Sequence, residues 1–560
     1  DLPSVEPTNK LLNSTFDTDL TYWSEVPSYI LNDQFTTARS AGAVNGTSAE
    51  PTGGTRTAVD TNSKISITAG GVLNFATGEA VNDALRYALV TRGAGKVFGG
   101  TITPSEATVG IPIFGWDANT SGAITDALQF GASGAIQVIP NGGTAISLGT
   151  YTAVAYQIQA VMRGTGIYYL VKGGAFTNWT LLWQATAGTA DGYPTIGAAG
   201  TASVFTADNI RIPTSLWLPT PLISDGFSHA TLTDGLGHAE GVAGGLGAGG
   251  SGVTRTGGTA AGGVMTITPS GNDIVNNGAF SADTNWTKGT GWTINTGTEK
   301  GVGTSVTGAN GIRNDAAITT NTWHQSQIDI VVASGKANWY PTGDNNSDVQ
   351  IISSSGTYMF SGRSKISNPG LFAVYGNASN FNGTIDNFSV KPLTLSSLFS
   401  TVSTSDSDVI ADANVTLTAG TQAGLVLNLD STSSPANFVI AYHDGTNVHL
   451  EKAVAGVYTS LINTAATYSA GATLRVIKDA TKYRVYYNNA LVGTEQTISD
   501  AGIISNTKHG LFSTYSANSF DNFTLWPRGS GTTKFTDAPF EELTATRDTG
   551  TKYAGAASVK

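Results

Sequence analysis

The side chains of this 560-residue chain that could do chemistry are aromatic and amide rather than nucleophilic. Trp286, Trp292, Trp323, Trp339 and Tyr340 crowd one stretch, and Asn338, Asp344 and Asn345 adjoin the last two. Trp339-Tyr340-Pro341 precedes the polar turn Gly343-Asp344-Asn345-Asn346, so an exposed aromatic platform is one expectation there. Packing inside a core is the other, and the ordinary role of a tryptophan. Covalent and metal chemistry find little footing. There is no cysteine, which removes disulfides, thiolate zinc sites and a cysteine nucleophile together. The six histidines form no His-Glu-x-x-His motif, and neither a serine nucleophile elbow nor a phosphate-binding loop is present. Glu541 and Glu542 are adjacent and would face opposite sides of a strand. His443 and His449 flank the hairpin turn Asp444-Gly445; they either face each other or form an ordinary exposed turn pair.

The elements that must position these groups are strands. Charged residues make up 12% of the chain, against roughly 25% in an average soluble domain, and there are 69 glycines. That composition suits short strands joined by tight turns and argues against helical bundles. A net charge of −11 leaves no basic footprint for nucleic acid, and no apolar run has the length of a membrane span. Three phrases put Asp-Asn before a short alternating apolar run: Asp208-Asn209-Ile210-Arg211-Ile212, Asp386-Asn387-Phe388-Ser389-Val390 and Asp521-Asn522-Phe523-Thr524-Leu525. Each reads as a turn opening the last strand of a domain.

Counting back from those strands divides the chain. Residues 31–217 form one sandwich. Leu31-Asn32-Asp33-Gln34-Phe35 matches Ile223-Ser224-Asp225-Gly226-Phe227, and the strand pair Tyr156–Arg163 and Gly166–Val171 matches Ala472–Lys478 and Lys482–Tyr487. The second copy is therefore split, 223–270 plus 394–530, with a domain of residues 272–393 inserted in one of its loops, as a surface turn tolerates. Residues 1–30 are an N-terminal arm: Thr8 to Trp23 repeats the Asp273 to Trp286 opening of the inserted domain and then stops. Trp286, sharing that place with Trp23, is expected in a core. Residues 531–560 are a strand-like tail resembling the start of another sandwich, which leads us to expect a longer parent protein. The fold class is all-β: multidomain antiparallel β-sandwiches (jelly rolls), one inserted in a loop of another.

On these residues the two larger units resemble concanavalin-A-like, laminin-G-type jelly rolls. The inserted unit, opening Asn277-Gly278-Ala279-Phe280 with Trp286 and closing Ile385-Asp386-Asn387-Phe388, resembles the carbohydrate-binding modules appended to polysaccharide-degrading enzymes. Arrays of this kind are similar to those in phage virion and bacterial surface proteins. The resemblance implies sugar recognition by aromatic stacking, with Trp292, Trp323, Trp339 and Tyr340 as platforms and Asp344 and Asn345 reading hydroxyls. It implies calcium as a cofactor between first and last strands, with Asp386 and oxygens near Asn277 as ligands. Asp386, like Asp208 and Asp521, would otherwise merely cap its turn. The Glu-x-Asp-x-x-Glu strand of laminarinase-type jelly-roll glycosidases is missing, so no enzyme is expected.

The expected function is that of a non-enzymatic structural protein on a virion or extracellular surface, with glycan recognition as an added role. Its partners would be copies of itself or other structural subunits, and cell-surface or extracellular polysaccharide. One alternative is the carbohydrate-binding region of a larger secreted polysaccharide-degrading enzyme. Another is a self-assembling extracellular filament whose subunits join through the strand-like termini, since an unpaired strand edge templates another chain.

Overall fold

A computed structural model describes residues 28–529 except 79, 108–110, 119–123, 189–190, 201–203, 228–254, 309, 315, 317, 344–348 and 366–371; beyond 529 it describes 535, 547–548 and 558–559. Residues 1–27 of the N-terminal arm and most of the tail therefore lie outside the described residues. The protein is all-β, with two four-residue helical turns, Leu395–Leu398 and Ala501–Ile504, among the described residues. No helix among them is long and apolar enough to cross a membrane.

The chain divides into two compact units. The first is a two-layer sandwich. One antiparallel sheet runs, in spatial order, Phe176–Gln184, Ile167–Gly173, Tyr156–Met162, Val97–Pro104, Phe205–Pro213, Tyr29–Asp33 and Pro51–Thr52. The other runs from Ile146–Thr150 through Pro112–Asp117 to Thr57–Val59. Alternating side chains meet between them, as where Phe98 stacks on Phe114 at 4.2 Å. This unit also takes back the chain after Pro527. The buried Arg528 guanidinium donates to the carbonyls of Leu181 and Leu182, and the Leu181 amide donates to the Arg528 carbonyl at 3.0 Å. The closing strand of the second sandwich runs to Pro527, and Arg528, next in sequence, finds its acceptors on the first.

The second unit, Thr220–Pro527, contains the split sandwich and the inserted module. Ile223–Asp225 and Val264–Thr266 both pair with the closing strand Ser519–Pro527, which continues through Val409–Thr416 and Ala472–Asp479 to Ala490–Thr497. The facing sheet carries Phe399–Ser403, Lys508–Ser513, Ala423–Leu429, Phe438–His443, Asn447–Val454 and Val457–Ala465. Leu425, Leu427, Val439, Leu450, Val476 and Phe523 fill the space between. The module is a pair of five-stranded antiparallel sheets packed about Phe280, Trp286, Trp292, Trp339 and Phe388. Its two ends meet: the Thr394 amide donates to the Ser270 carbonyl at 2.8 Å. A Cβ on Gly271 would lie 2.1 Å from the Pro392 carbonyl oxygen, so only glycine admits this approach.

The Asp-Asn phrases are not turns before a strand. Each lies inside its closing strand as a bulge: Asn209, Asn387 and Asn522 have φ of 52°, 45° and 49°, and the pairing register slips beside each. In all three the Asp Oδ1 accepts the hydrogen bond of the following Asn amide at 2.7 Å. Asparagine tolerates the left-handed region better than other non-glycine residues, and the carboxylate satisfies the amide that the bulge removes from the ladder. Asn522→Gly is expected to leave thermal stability nearly unchanged. Asn522→Val, a β-branched residue at positive φ, is expected to cost about 1–2 kcal/mol, read from the midpoint of thermal unfolding.

Candidate functional site

Trp292 and Trp339 belong to the module core, at 4% and 1% exposure, and Trp339 is therefore not a platform. The alternation of Ala337–Tyr340 turns it inward with Ala337 and leaves Tyr340 half-buried, edge-on to Tyr375 at 5.2 Å. Asp344 and Asn345 lie outside the described residues. Asp386 and Asn277 do not fit a calcium ion. The Asp386 carboxylate accepts from Lys300 Nζ at 3.1 Å and from the Asn387 amide. Asn277 Oδ1 accepts from Ser281 and Ala282, while its amide nitrogen donates to the Ala282 and Thr284 carbonyls. No cluster of three or more His, Asp or Glu suited to a metal occurs among the described residues. The module's opening segment is tied to its last strand by the Phe388 amide on the Gly278 carbonyl (3.0 Å) and the Ile274 amide on the Val390 carbonyl (2.9 Å).

Trp323 has a different role. It lies on the outer face of the module and packs with Leu393, Phe399, Phe438, Tyr442 and Phe512, so that the module covers the outside of the second sandwich. Arg363 lies directly across the strand pair from Trp323. Two residues back, Ser361 donates to Gln422 Oε1 at 2.9 Å, and the Gln422 amide returns a bond to the Ser361 carbonyl. Gln325 donates to the Thr514 carbonyl. A buried polar seam with satisfied partners fixes one relative orientation of module and sandwich.

At the end of the Gly356–Arg363 strand, module and sandwich part to leave an open cleft of about 480 Å³. The module contributes Trp323, Phe360, Arg363 and Lys365; the sandwich contributes Gln422, Tyr442, Asp444, His449, Glu451, Ser460 and Asn463. Arg363 Nη2 bonds both oxygens of the buried Glu451, at 2.7 and 2.8 Å. Its guanidinium lies over the Tyr458 ring at 4.4 Å and near Trp323 at 5.6 Å, and the Trp323 indole donates to the Tyr458 hydroxyl at 3.0 Å. Burial, reinforced by the Glu451 charge and only partly offset by Arg363, pushes the Tyr442 phenol well above its ordinary pKa. It therefore stays protonated and donates to Glu451 at 3.2 Å.

His443 and His449 do not face each other. Tyr442, not His443, is opposite His449 in the hairpin, so the two histidines fall on opposite faces. His443 is buried beside Tyr468 and Tyr487, and burial lowers its pKa. His449 stacks on Tyr442 at 4.6 Å and bonds Asp444 at 2.8 Å. Burial raises the Asp444 pKa, but hydrogen bonds from His449, from the Asn447 and Thr446 amides and from the Thr446 hydroxyl outweigh it and hold the carboxyl far below the usual range. The cleft thus presents the Arg363–Glu451 ion pair, the His449–Asp444 hydrogen bond, amides, a hydroxyl and aromatic rings on a rigid sheet. Of its residues the sequence pointed only to Trp323 and His449. The period-2 placement of His449 and Glu451 on one strand face was the available signal for Glu451; Arg363, 88 residues away, offered none.

No family model matches the chain, and no curated protein does. Among solved structures it is similar to the carbohydrate-binding module CBM66 from Bacillus subtilis (18% identity, TM-score 0.20, 23% of this chain and 81% of that one). It is also similar to sheep galectin-11 in complex with glycerol (11%, 0.19, 23% and 95%) and to the GH43 BlXynB protein from Bacillus licheniformis (11%, 0.19, 72% and 72%). Likenesses this low carry nothing further for this chain.

Proposed function

We propose that the protein binds glycans, without hydrolysing them, in the cleft between the inserted module and the second sandwich. The observation that carries this reading is the composite wall: Arg363 and Trp323 from the module are held by Glu451, Tyr442 and Tyr458 of the sandwich, beside a row of amides and hydroxyls. Concave sites with aromatic surface and a few fixed polar groups suit ring ligands bearing many hydroxyls. Hydrolysis would need a protonated carboxyl as acid. Asp444 is held ionised and Glu451 is bound to Arg363, so neither suits that role. Because polysaccharide is displayed outside cells, the reading places the protein on an extracellular or virion surface.

An oligosaccharide array probed with the intact chain tests it. Binding is expected, and a Ser460→Ala/Asn463→Ala variant on the Val457–Ala465 edge strand should lose at least tenfold in affinity. An array without any retained glycan, or equal retention by that variant, would overturn it. Such a site serves a structural assembly and a larger polysaccharide-degrading enzyme alike. Light scattering with negative-stain microscopy of the native particle separates these, since regular particles or filaments belong to the first.

A further inference from the structure

We propose that the module carries a second glycan-binding surface, separate from the cleft, on the outer face of its other sheet, where a pyranose ring stacks on Tyr375. The two sheets of the module have different surroundings. One turns its outer face, with Trp323, Gln325 and Ser361, to the second sandwich. The other runs Trp286–Lys288, Gly311–Asn314, Phe372–Gly376, Ala337–Tyr340 and Gln350–Ile352. Phe372, Val374, Ala337 and Trp339 point into the core, so alternation puts Tyr375, Asn338, Tyr340 and Arg313 on the outer face. Both tyrosines are half-buried there, and neither belongs to the core.

Pairing sets Gly311, Tyr375, Asn338 and Ile351 in one row across four strands. A Cβ on Gly311 would lie 2.6, 2.7 and 2.9 Å from ring carbons Cε1, Cδ1 and Cζ of Tyr375. The ring therefore lies flat across the glycine of the neighbouring strand, with its second face turned away from the sheet. A side chain at 311 would lift it. Tyr340 is set against this ring at 5.2 Å with the planes 82° apart, so it forms a wall beside the platform rather than the platform itself.

The polar groups of this face have capacity to spare. Asn377 donates to Asn338 Oδ1 at 2.7 Å, which leaves Asn377 Oδ1 to accept and Asn338 Nδ2, beside the Tyr340 hydroxyl, with a hydrogen to give. The Tyr375 hydroxyl and the exposed Arg313 guanidinium have no partner among the described residues. A sugar suits such a surface, because its C–H face stacks on a flat ring while its hydroxyls both donate and accept. A protein partner would have to satisfy each of these groups at a fixed place.

The test is calorimetric titration of the full chain with glucan, xylan, galactan and chitin oligomers, alongside the Ser460→Ala/Asn463→Ala variant of the cleft. An open face covers less of a ligand than a cleft does, so it is the weaker site. It is what should remain, at least tenfold weaker, in that variant, and adding Tyr375→Ala is expected to remove it. Gly311→Ala, which pushes the ring off the strand, should weaken the remaining binding, and Tyr375→Phe should keep it. If thermal unfolding shows that Tyr375→Ala fails to fold, Tyr375→Leu, apolar but without the flat face, gives the same comparison. Remaining binding unchanged by a folded Tyr375→Ala or Tyr375→Leu substitution, or no remaining binding in the cleft variant, overturns the second surface and leaves the cleft standing. Full affinity in the cleft variant with loss on Tyr375→Ala overturns the cleft and upholds this surface. A wild-type chain that binds none of the oligomers overturns both. Light scattering covers the other occupant: a dimer that Tyr375→Ala dissociates would give this face to a second copy of the chain and overturn the sugar.

Discussion

Arg363→Ala is expected to destabilise the second unit by about 3 kcal/mol and to abolish measurable ligand binding in the cleft. The first effect comes from what remains: a Glu451 carboxylate at 4% side-chain exposure with the Tyr442 hydroxyl as its one remaining bond from the cleft. Breaking a buried pair by removing one partner costs about 3–5 kcal/mol, and the 21% exposure of Arg363 places this pair at the lower end. Loss of the guanidinium from the Tyr458 and Trp323 faces adds to it. A second substitution separates the two consequences. Glu451→Gln in the Arg363→Ala background removes the stranded charge and should recover most of the stability, measured by urea unfolding, while binding remains absent. Equal destabilisation of the single and double variants would show that the ion pair is not what holds the module to the sandwich there.

That pair also marks where the sequence stopped being informative. Local signals carried well: alternating apolar runs became strands, and Asp444-Gly445 became a hairpin turn. The two-fold repeat was legible because a local hydrogen bond demands it. Asp33 and Asp225 each accept from the amide two residues on, Phe35 and Phe227, which both adopt positive φ. The Asp-Asn phrases were found for the right residues with the wrong geometry, because turn and bulge ask for the same thing, an asparagine at positive φ and a carboxylate beside it.

The site was less legible, for a physical reason. Tryptophan density cannot separate a platform from a core: Trp292, Trp323 and Trp339 have the same local setting in sequence, and sheet pairing alone decides that Trp323 faces the other domain. The cleft exists because an insertion brings residues 321–365 against residues 422–463, and no local pattern encodes that meeting. Likewise the return of Arg528 to the first unit depends on the Leu181 and Leu182 carbonyls, some 346 residues earlier.

Acidification from pH 7.5 to 4.5 is expected to remove about 2–3 kcal/mol from the stability of the second unit through His509 alone. This imidazole is fully buried; burial, aided by the nearby Lys478 charge and opposed by the hydrogen bond to the Asp406 carbonyl, pushes its pKa down to about 4. Its bonds agree with the neutral form: Nδ1 accepts from the Asn428 amide at 3.3 Å, and Nε2 donates to the Asp406 carbonyl at 2.9 Å. A proton added at Nδ1 would point at an N–H. Because the folded pKa lies below the unfolded value of about 6.5, the stabilisation is complete above pH 6.5 and is lost progressively as pH falls towards 4. His324 in the module, buried with Nε2 on the Pro341 carbonyl, and His443 shift in the same direction and steepen the slope. Asp444, whose carboxyl its hydrogen bonds hold low, loses its own contribution mainly as pH falls below about 4. Urea midpoints at half-unit pH steps for wild type and His509→Gln are the measurement. The variant should start less stable at pH 7.5 and lose about 2 kcal/mol less on descent to pH 4.5. Parallel pH curves for the two proteins would show that His509 does not take up a proton on unfolding.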